Sequence, residues 1–200
     1  MLRNILNLSW AYRLFGRLIG AAEGKRLFVR DYLRTQPGTR LLDIGCGPGN
    51  LLEALDGVEY VGFDMNPDYI RTARERYGKR GAFFERVIGR DDLSDLRAFD
   101  LAVALGVVHH LADEEAAALF EAARAALKPG GRFVTLDGCY RQGQSRIVRR
   151  LLALDRGRFV RTEEAYTNLA QRAFKHVKTV QRDDLLRIPY TLLIMECTNP

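Results

Sequence analysis

Residues 41–50, Leu-Leu-Asp-Ile-Gly-Cys-Gly-Pro-Gly-Asn, set three glycines at alternate positions directly after a short apolar run. Gly45, Gly47 and Gly49 let the backbone turn tightly and approach a ligand with no side chain in the way. The helix expected next, over Asn50–Leu55, points its free N–H groups and positive dipole end into the same space. An anionic ligand group belongs there, and dinucleotide-binding loops use a similar arrangement. Two positions separate this loop from theirs. Position 50 is Asn50, where the pattern G-x-G-x-x-G wants glycine. Asp43, two residues before Gly45, would repel a pyrophosphate and suits a ligand that carries an ammonium group.

Asp64 closes a second apolar stretch, 19 residues past Gly45. An acid at that place can accept hydrogen bonds from both hydroxyls of a ribose. The other reading makes Asp64 the cap of a helix that begins at Pro67. His109 and His110 follow a later apolar stretch and are candidates for acid–base work. Adjacent side chains diverge on an extended backbone, so the pair suits a single metal ion poorly. No further Cys, His or acid stands at metal-ligand spacing, and no metal is expected. His109 is the candidate catalytic residue lining an active site; the alternative is that the pair shapes and caps its loop.

A scaffold must bring these residues to one edge. Leu8, Tyr12, Phe15 and Ile19 fall at spacings of four, three and four, one face of a helix. A second helix is predicted over Glu23–Leu33, ending before Pro37-Gly38. Short apolar strands are predicted at Arg40–Ile44, Tyr60–Asp64, Ala82–Ile88, Phe99–Leu105 and Arg132–Asp137. Between them lie Asn50–Leu55, a helix begun by Pro67 and continued over Asp68–Tyr77, and a helix capped by Asp113 and running to Leu127. Lys128-Pro129-Gly130-Gly131 is expected to break that helix ahead of the fifth strand. The alternation is that of an α/β doubly wound parallel sheet with helices on both faces. It stops after Asp137. Cys139–Phe174 reads as one or two helices, and His176–Asp183 and Tyr190–Thr198 as strands joined too closely for a parallel crossover, hence an antiparallel hairpin.

At 200 residues with 47% hydrophobic content, the chain suits one globular domain with a full core rather than a disordered segment. Arg3, Arg13 and Arg17 interrupt any apolar run long enough to span a membrane, and no signal peptide is read. Cys46, Cys139 and Cys197 are odd in number and widely spaced, which fits neither a disulfide framework nor a zinc site and points to a cytoplasmic compartment. The net charge of +6 is unevenly spread. Between Cys139 and Arg161 stand seven arginines (141, 146, 149, 150, 156, 158, 161) against one acid, Asp155. They could hold a phosphate or carboxylate, lie on an anionic membrane, or form a solvated helix face.

In this order the motifs resemble the class I S-adenosylmethionine (SAM) dependent methyltransferase family, over roughly Gly38 to Asp137. Leu41–Asn50 is similar to the family's glycine loop and Tyr60–Asn66 to its ribose-binding strand end. Phe99–Leu111, with Gly-Val-Val-His-His-Leu, is similar to its fourth strand and the loop over the cofactor, and Leu127–Thr135 to its turn into strand five. The resemblance implies a Rossmann-like seven-stranded sheet of order 3-2-1-4-5-7-6 with strand 7 antiparallel. It also implies SAM as cofactor and S-adenosylhomocysteine as product. Cofactor contacts would come from Asp43, Gly45, Cys46, Gly47, Gly49, Asn50, Asp64, Leu105 and Gly106, with Met65 against the adenine. The family often has Gly-Asp after strand three; this chain has Gly89-Arg90-Asp91-Asp92, so Asp91 or Asp92 would take the adenine amino group, with Asp91 favoured. Leu136–Tyr140, Leu152–Arg161 and Ile194–Cys197 are similar to a subgroup of small bacterial methyltransferases associated with surface-polysaccharide or other secondary pathways.

The expectation is therefore a single methyltransferase domain over residues 1–200. Residues 1–37 would be a helical cap, and residues 139–174 a helical insertion that, with the N-terminal helix bearing Trp10, Tyr12 and Arg13, makes a lid on the acceptor side. The acceptor is expected to be a small molecule methylated at O or N, with an anionic or lipid-linked compound and a peripheral membrane contact both suiting the arginines. An RNA methyltransferase is the first alternative, prompted by the charge. It lacks support from an Asn/Asp-Pro-Pro-Tyr motif or from interleaved aromatic and basic residues. A non-catalytic SAM-binding protein is the second alternative. The acceptor, the methylated atom and the oligomeric state are not legible in the sequence.

Overall fold

The computed structural model describes residues 21–88, 98–154 and 157–200. The predicted helix over Leu8–Ile19, Trp10 to Arg13 within it, and the acids Asp91, Asp92 and Asp155 lie outside the described residues.

The strands are β1 (Arg40–Ile44), β2 (Glu59–Asp64), β3 (Gly81–Glu85), β4 (Phe99–Leu105), β5 (Leu127–Tyr140), β6 (Arg161–Thr162), β7 (His176–Arg182) and β8 (Leu192–Thr198). Their order is β3-β2-β1-β4-β5-β8-β7, with β6 beside β5. β1 to β5 are mutually parallel, while β8 runs antiparallel to both β5 and β7. This is the expected order, with β7 and β8 as the antiparallel hairpin and the two-residue β6 added.

The helices are α1 (Ala21–Phe28), α2 (Pro67–Tyr77), α3 (Asp113–Ala126), α4 (Arg146–Leu154) and α5 (Glu163–Gln171). Alternation along the strands splits the core between the two faces of the sheet. Leu42, Ala102, Ala104 and Phe133 pack with Phe120 of α3 and Tyr166 of α5. Leu41, Leu101, Val103 and Val134 pack with Phe28 of α1 and Ile70 of α2. Burial on both faces explains why β4 reads as an almost unbroken apolar run.

Several boundaries differ from the sequence expectation. The helix after the glycine loop is one 3-10 turn, Asn50–Ala54, because Leu55 is extended. The second helix becomes α1 followed by a π turn, Val29–Leu33, closed by Arg34 in the left-handed conformation. β3 ends at Glu85, three residues early. Asp113 is the first residue of α3; the cap is Ala112, whose N–H donates to the Glu115 carboxylate at 2.9 Å. The stretch 128–131 does not precede β5 but lies inside it as a bulge, where the register slips from Phe99↔Leu127 to Leu101↔Arg132. Asn199 satisfies the bulge, through Gly130 N–H to Asn199 O and Asn199 N–H to Gly131 O, both 2.9 Å. A turn whose backbone groups find partners need not end a strand.

Candidate active site

The carboxyl ends of β1, β2, β4 and β5 converge on one edge, and each delivers a polar group or a bend. After β1 the chain folds over β2: Gly45 N–H and Cys46 N–H both donate to Phe63 O, at 2.7 and 2.9 Å. Gly45 has φ +76°, and a Cβ there would stand 2.5 Å from a Val107 methyl, so the loop after β4 can close down only on a glycine. Gly47 has φ +53°, and no atom lies within 4 Å of where its Cβ would be. Space is therefore open above the loop, between two bends that only glycine makes comfortably.

Asp64 ends β2 facing that loop. Its Oδ2 accepts the Gly47 N–H and its Oδ1 the Asn66 N–H, each at 2.8 Å. Asn66 caps α2, accepting from Asp68 N–H and Tyr69 N–H at 2.9 and 3.2 Å. The helix thus has a cap of its own, and Asp64 ties the glycine loop to the end of β2. Met65, next to it, is 71% exposed. Asp43 is buried within β1, where Tyr60 Oη donates to its Oδ2 at 2.6 Å. Burial pushes the Asp43 carboxyl up to about 7, against the lowering pull of the Tyr60 hydrogen bond. Cys46 is buried and burial raises its thiol far above the ordinary range, so it is an inert packing group. Asn50 is committed elsewhere: its Oδ1 accepts from Arg76 at 2.9 Å and its backbone oxygen from Lys25 at 2.7 Å.

β4 ends at Leu105, and Gly106, at φ +69°, donates its N–H to Leu136 O at 2.8 Å. One 3-10 turn follows, Val108–His110. His109 is buried here, and its Nδ1 lies 2.7 Å from Asp137 Oδ1. The same oxygen accepts the His109 backbone N–H at 3.1 Å. A carboxylate oxygen accepts, so Nδ1 is the donor in this contact and the acid fixes the rotation of the ring. Asp137 Oδ2 is buried with no hydrogen-bond partner among the described residues.

The insertion after β5 clasps this turn. Phe159 N–H donates to His109 O at 2.9 Å, and a Cβ on Gly157 would stand 2.0 Å from His109 Cδ2. The Arg161 guanidinium, only 9% exposed, donates to Val108 O at 3.2 Å, to Leu111 O at 2.7 Å and to Asp113 Oδ1 at 2.6 Å. The seven arginines are therefore no single surface. Arg161 is a bracket for the His109 turn, and Arg141 pairs with Asp183 at 2.8 Å.

The structure thus gathers Asp43, the glycine loop, Asp64, Met65, Leu105, Gly106 and His109 at one edge, and holds the Asn50 side chain on Arg76. The partners Tyr60, Asp137, Gly157 and Arg161 are missed by sequence reasoning. Asp137 alone left a signal, a carboxylate closing an apolar strand as Asp64 closes β2. Among the described residues no grouping of three His, Cys, Asp or Glu could hold a metal, and no helix is long and apolar enough to cross a membrane.

The fold and site define a doubly wound domain with a glycine loop at the carboxyl edge of its sheet. That loop is open above Gly47, with exposed Met65 and strand-end Asp64 beside it. Residues 42–133 match the family model described as Methyltransferase domain. The ubiquinone biosynthesis O-methyltransferase of Cereibacter sphaeroides is 39% identical over 113 residues, 54% of this chain and 45% of that protein. The phosphoethanolamine N-methyltransferase of Triticum aestivum is 29% identical over 187 residues, 88% of this chain and 36% of that protein. The chain spans less than half the length of the curated relatives it matches. Among solved structures, phosphoethanolamine N-methyltransferase 2 of Haemonchus contortus, held with phosphomonomethylethanolamine and S-adenosylhomocysteine, has a TM-score of 0.68 at 15% identity. That match covers 89% of this chain and 52% of the other. The matching segment, the methyltransferase relatives and the shared fold support a class I SAM-dependent methyltransferase with S-adenosylmethionine as methyl donor.

Proposed function

We propose that this protein transfers the methyl group of SAM to the oxygen or nitrogen of a small molecule, with His109 as the proton acceptor at the reacting centre. The observation that carries the reading is the buried Asp137–His109 pair beside the glycine loop, at the ends of β4 and β5. Bound SAM supplies an electrophilic methyl on a sulfonium. The protein's own work is to hold, align and exclude water. The glycine loop and Asp43 face the methionyl end, Asp64 takes the ribose hydroxyls, Met65 packs on the adenine, and Asp91 or Asp92 receives its amino group. A hydroxyl nucleophile must also lose its proton, and the imidazole that Asp137 orients is the group proposed to take it.

The relatives' names, a ubiquinone-biosynthesis O-methyltransferase and a phosphoethanolamine N-methyltransferase, support acceptors of either kind, and an anionic or lipid-linked compound fits the arginines near the site. The 139–174 insertion acts as lid, since Phe159 and Arg161 fasten it to the His109 turn. A cytoplasmic setting agrees with three free, buried cysteines. The RNA alternative loses weight because Arg141 and Arg161 are committed to carboxylates.

The test is a transfer screen with labelled SAM against phenols, catechols, amines and their lipid-linked forms, with total RNA and protein alongside. Methylation of a small molecule, lost in His109→Ala, is expected. Transfer only to RNA or protein, or no S-adenosylhomocysteine binding by calorimetry, overturns the reading.

A further inference from the structure

Helix α4 is fastened at both ends and left open in the middle. Ahead of it, Gln144 Nε2 donates to Cys139 O at 3.0 Å; behind it, Phe159 and Arg161 are tied to the His109 turn. The sequence of α4, Arg-Ile-Val-Arg-Arg-Leu-Leu-Ala-Leu, spreads apolar residues over a wide arc. Only one side of that arc is used by the fold: Leu152 is buried, reaching Gly138, and Val148 is half-buried. The other side is a stripe of Ile147, half-buried Leu151 and Leu154 at spacings of four and three, which share one helix face. Ile147 is 67% and Leu154 73% exposed, and Phe159 beyond the helix is 39% exposed.

The remaining arc is basic. Arg146, Arg149 and Arg150 are exposed on α4, and Arg158 is exposed beside Phe159. Arg149 lies over the Tyr140 ring at 5.6 Å, whereas Arg146, Arg150 and Arg158 pair with no carboxylate among the described residues. An exposed apolar stripe bordered by unpaired arginines needs an occupant that is both apolar and anionic. A second copy of this chain would bring the same arginines to the contact. The first 20 residues would bring Arg3, Arg13 and Arg17 and no acid. Like charges at that range repel, so neither is complementary.

We propose that α4, with Phe159, is a docking surface for an anionic lipid bilayer, seating Ile147, Leu151 and Leu154 among acyl chains while Arg146, Arg150 and Arg158 meet lipid phosphates. This is the geometry of an interfacial helix, in which buried apolar area and attraction to anionic lipid add. The surface joins the acceptor side directly, since the chain leaving α4 carries Gly157 and Phe159 onto His109. It deepens the reading of a lipid-linked acceptor and rests on that reading for its purpose, but not for its test.

The test is flotation of the full chain, without cofactor or acceptor, on two kinds of vesicle: phosphatidylcholine alone, and roughly equal parts phosphatidylcholine and phosphatidylglycerol. At least about tenfold preference for the anionic vesicles is expected, weakening as salt rises. The Ile147→Ser/Leu154→Ser variant should lose about tenfold or more of that binding, with thermal melting and S-adenosylhomocysteine affinity unchanged. Should that variant misfold, Arg146→Gln/Arg150→Gln, altered only at exposed positions, is expected to abolish the preference for anionic lipid. Equal binding to both vesicles, no binding, or undiminished binding by both variants overturns the proposal. Capture of polyglutamate without vesicle binding also overturns it, in favour of an acidic protein partner. Because vesicle binding is read without methyl transfer, it can fail while the enzymatic reading stands, and the reverse.

Discussion

Asp137 Oδ1 accepts twice from His109, from the ring Nδ1 at 2.7 Å and from the backbone N–H at 3.1 Å. One oxygen therefore fixes both the rotation of the imidazole and the position of the turn that carries it. Asp137→Asn replaces that acceptor with a group that can also donate, so the ring loses its preferred tautomer. Methyl transfer to a hydroxyl acceptor should fall about a hundredfold in kcat, within the range general bases contribute. S-adenosylhomocysteine affinity, measured by calorimetry, should stay within about threefold, because Asp137 touches none of the glycine loop.

Asp64 bridges the Gly47 and Asn66 N–H groups, both at 2.8 Å. Asp64→Ala removes a charged acceptor from two backbone donors and from the ribose it is proposed to hold. Hydrogen bonds to charged groups are worth about 1.5–3 kcal/mol each, so S-adenosylhomocysteine affinity should drop by a hundredfold or more. Calorimetry that returned an unchanged Kd would refute the ribose assignment.

Arg161 ties three carbonyl oxygens, Val108, Leu111 and Phe159, to Asp113. Arg161→Met keeps most of the buried stem and strips the donors. Unfolding free energy should fall by about 2–4 kcal/mol, since several buried acceptors lose a charged partner at once. Hydrogen exchange at the Leu111 N–H, which bonds Val108 O at 3.2 Å, should accelerate along with the melting change.

Asp43 supplies a pH signature. Its folded carboxyl sits at about 7, raised from the usual carboxylate value by burial. A group raised in the folded state contributes stability that is complete below its unfolded pKa and lost as pH rises through the folded one. The wild type should therefore lose stability between about pH 4 and pH 7 relative to Asp43→Asn, by about 1–3 kcal/mol. Urea titrations of both proteins at pH 5 and pH 8 measure this. A constant gap between them would show that Asp43 is not raised.

Much of the sheet was legible because its cause is local. Leu41 and Leu42, or Val103 and Ala104, face opposite cores, and that alternation is written in the order of residues. Pro67 and Asn66 announce the start of α2 for equally local reasons. Errors arose where a distant partner changed a local preference. Residues 128–131 do follow the end of α3, but they look like a turn ahead of the strand until Asn199, near the end of the sequence, pairs with them inside β5. Arg161 looks like one more exposed arginine until its guanidinium is seen beneath the 108–111 turn.

The chain by itself determined the glycine loop and the acids Asp43 and Asp64, which depend on spacing along the backbone, and through the resemblance these motifs carry to class I SAM-dependent methyltransferases it implied the order of strands and the methyl donor. Only the tertiary structure decided that His109 is paired with an acid. Asp137 is 28 residues away, and the two meet because β4 and β5 are parallel neighbours with the post-β5 segment pressed onto the turn. It also decided which arginines are brackets and which border an open apolar stripe. Exposure is a property of the packed chain, and no pattern of residue types carries it.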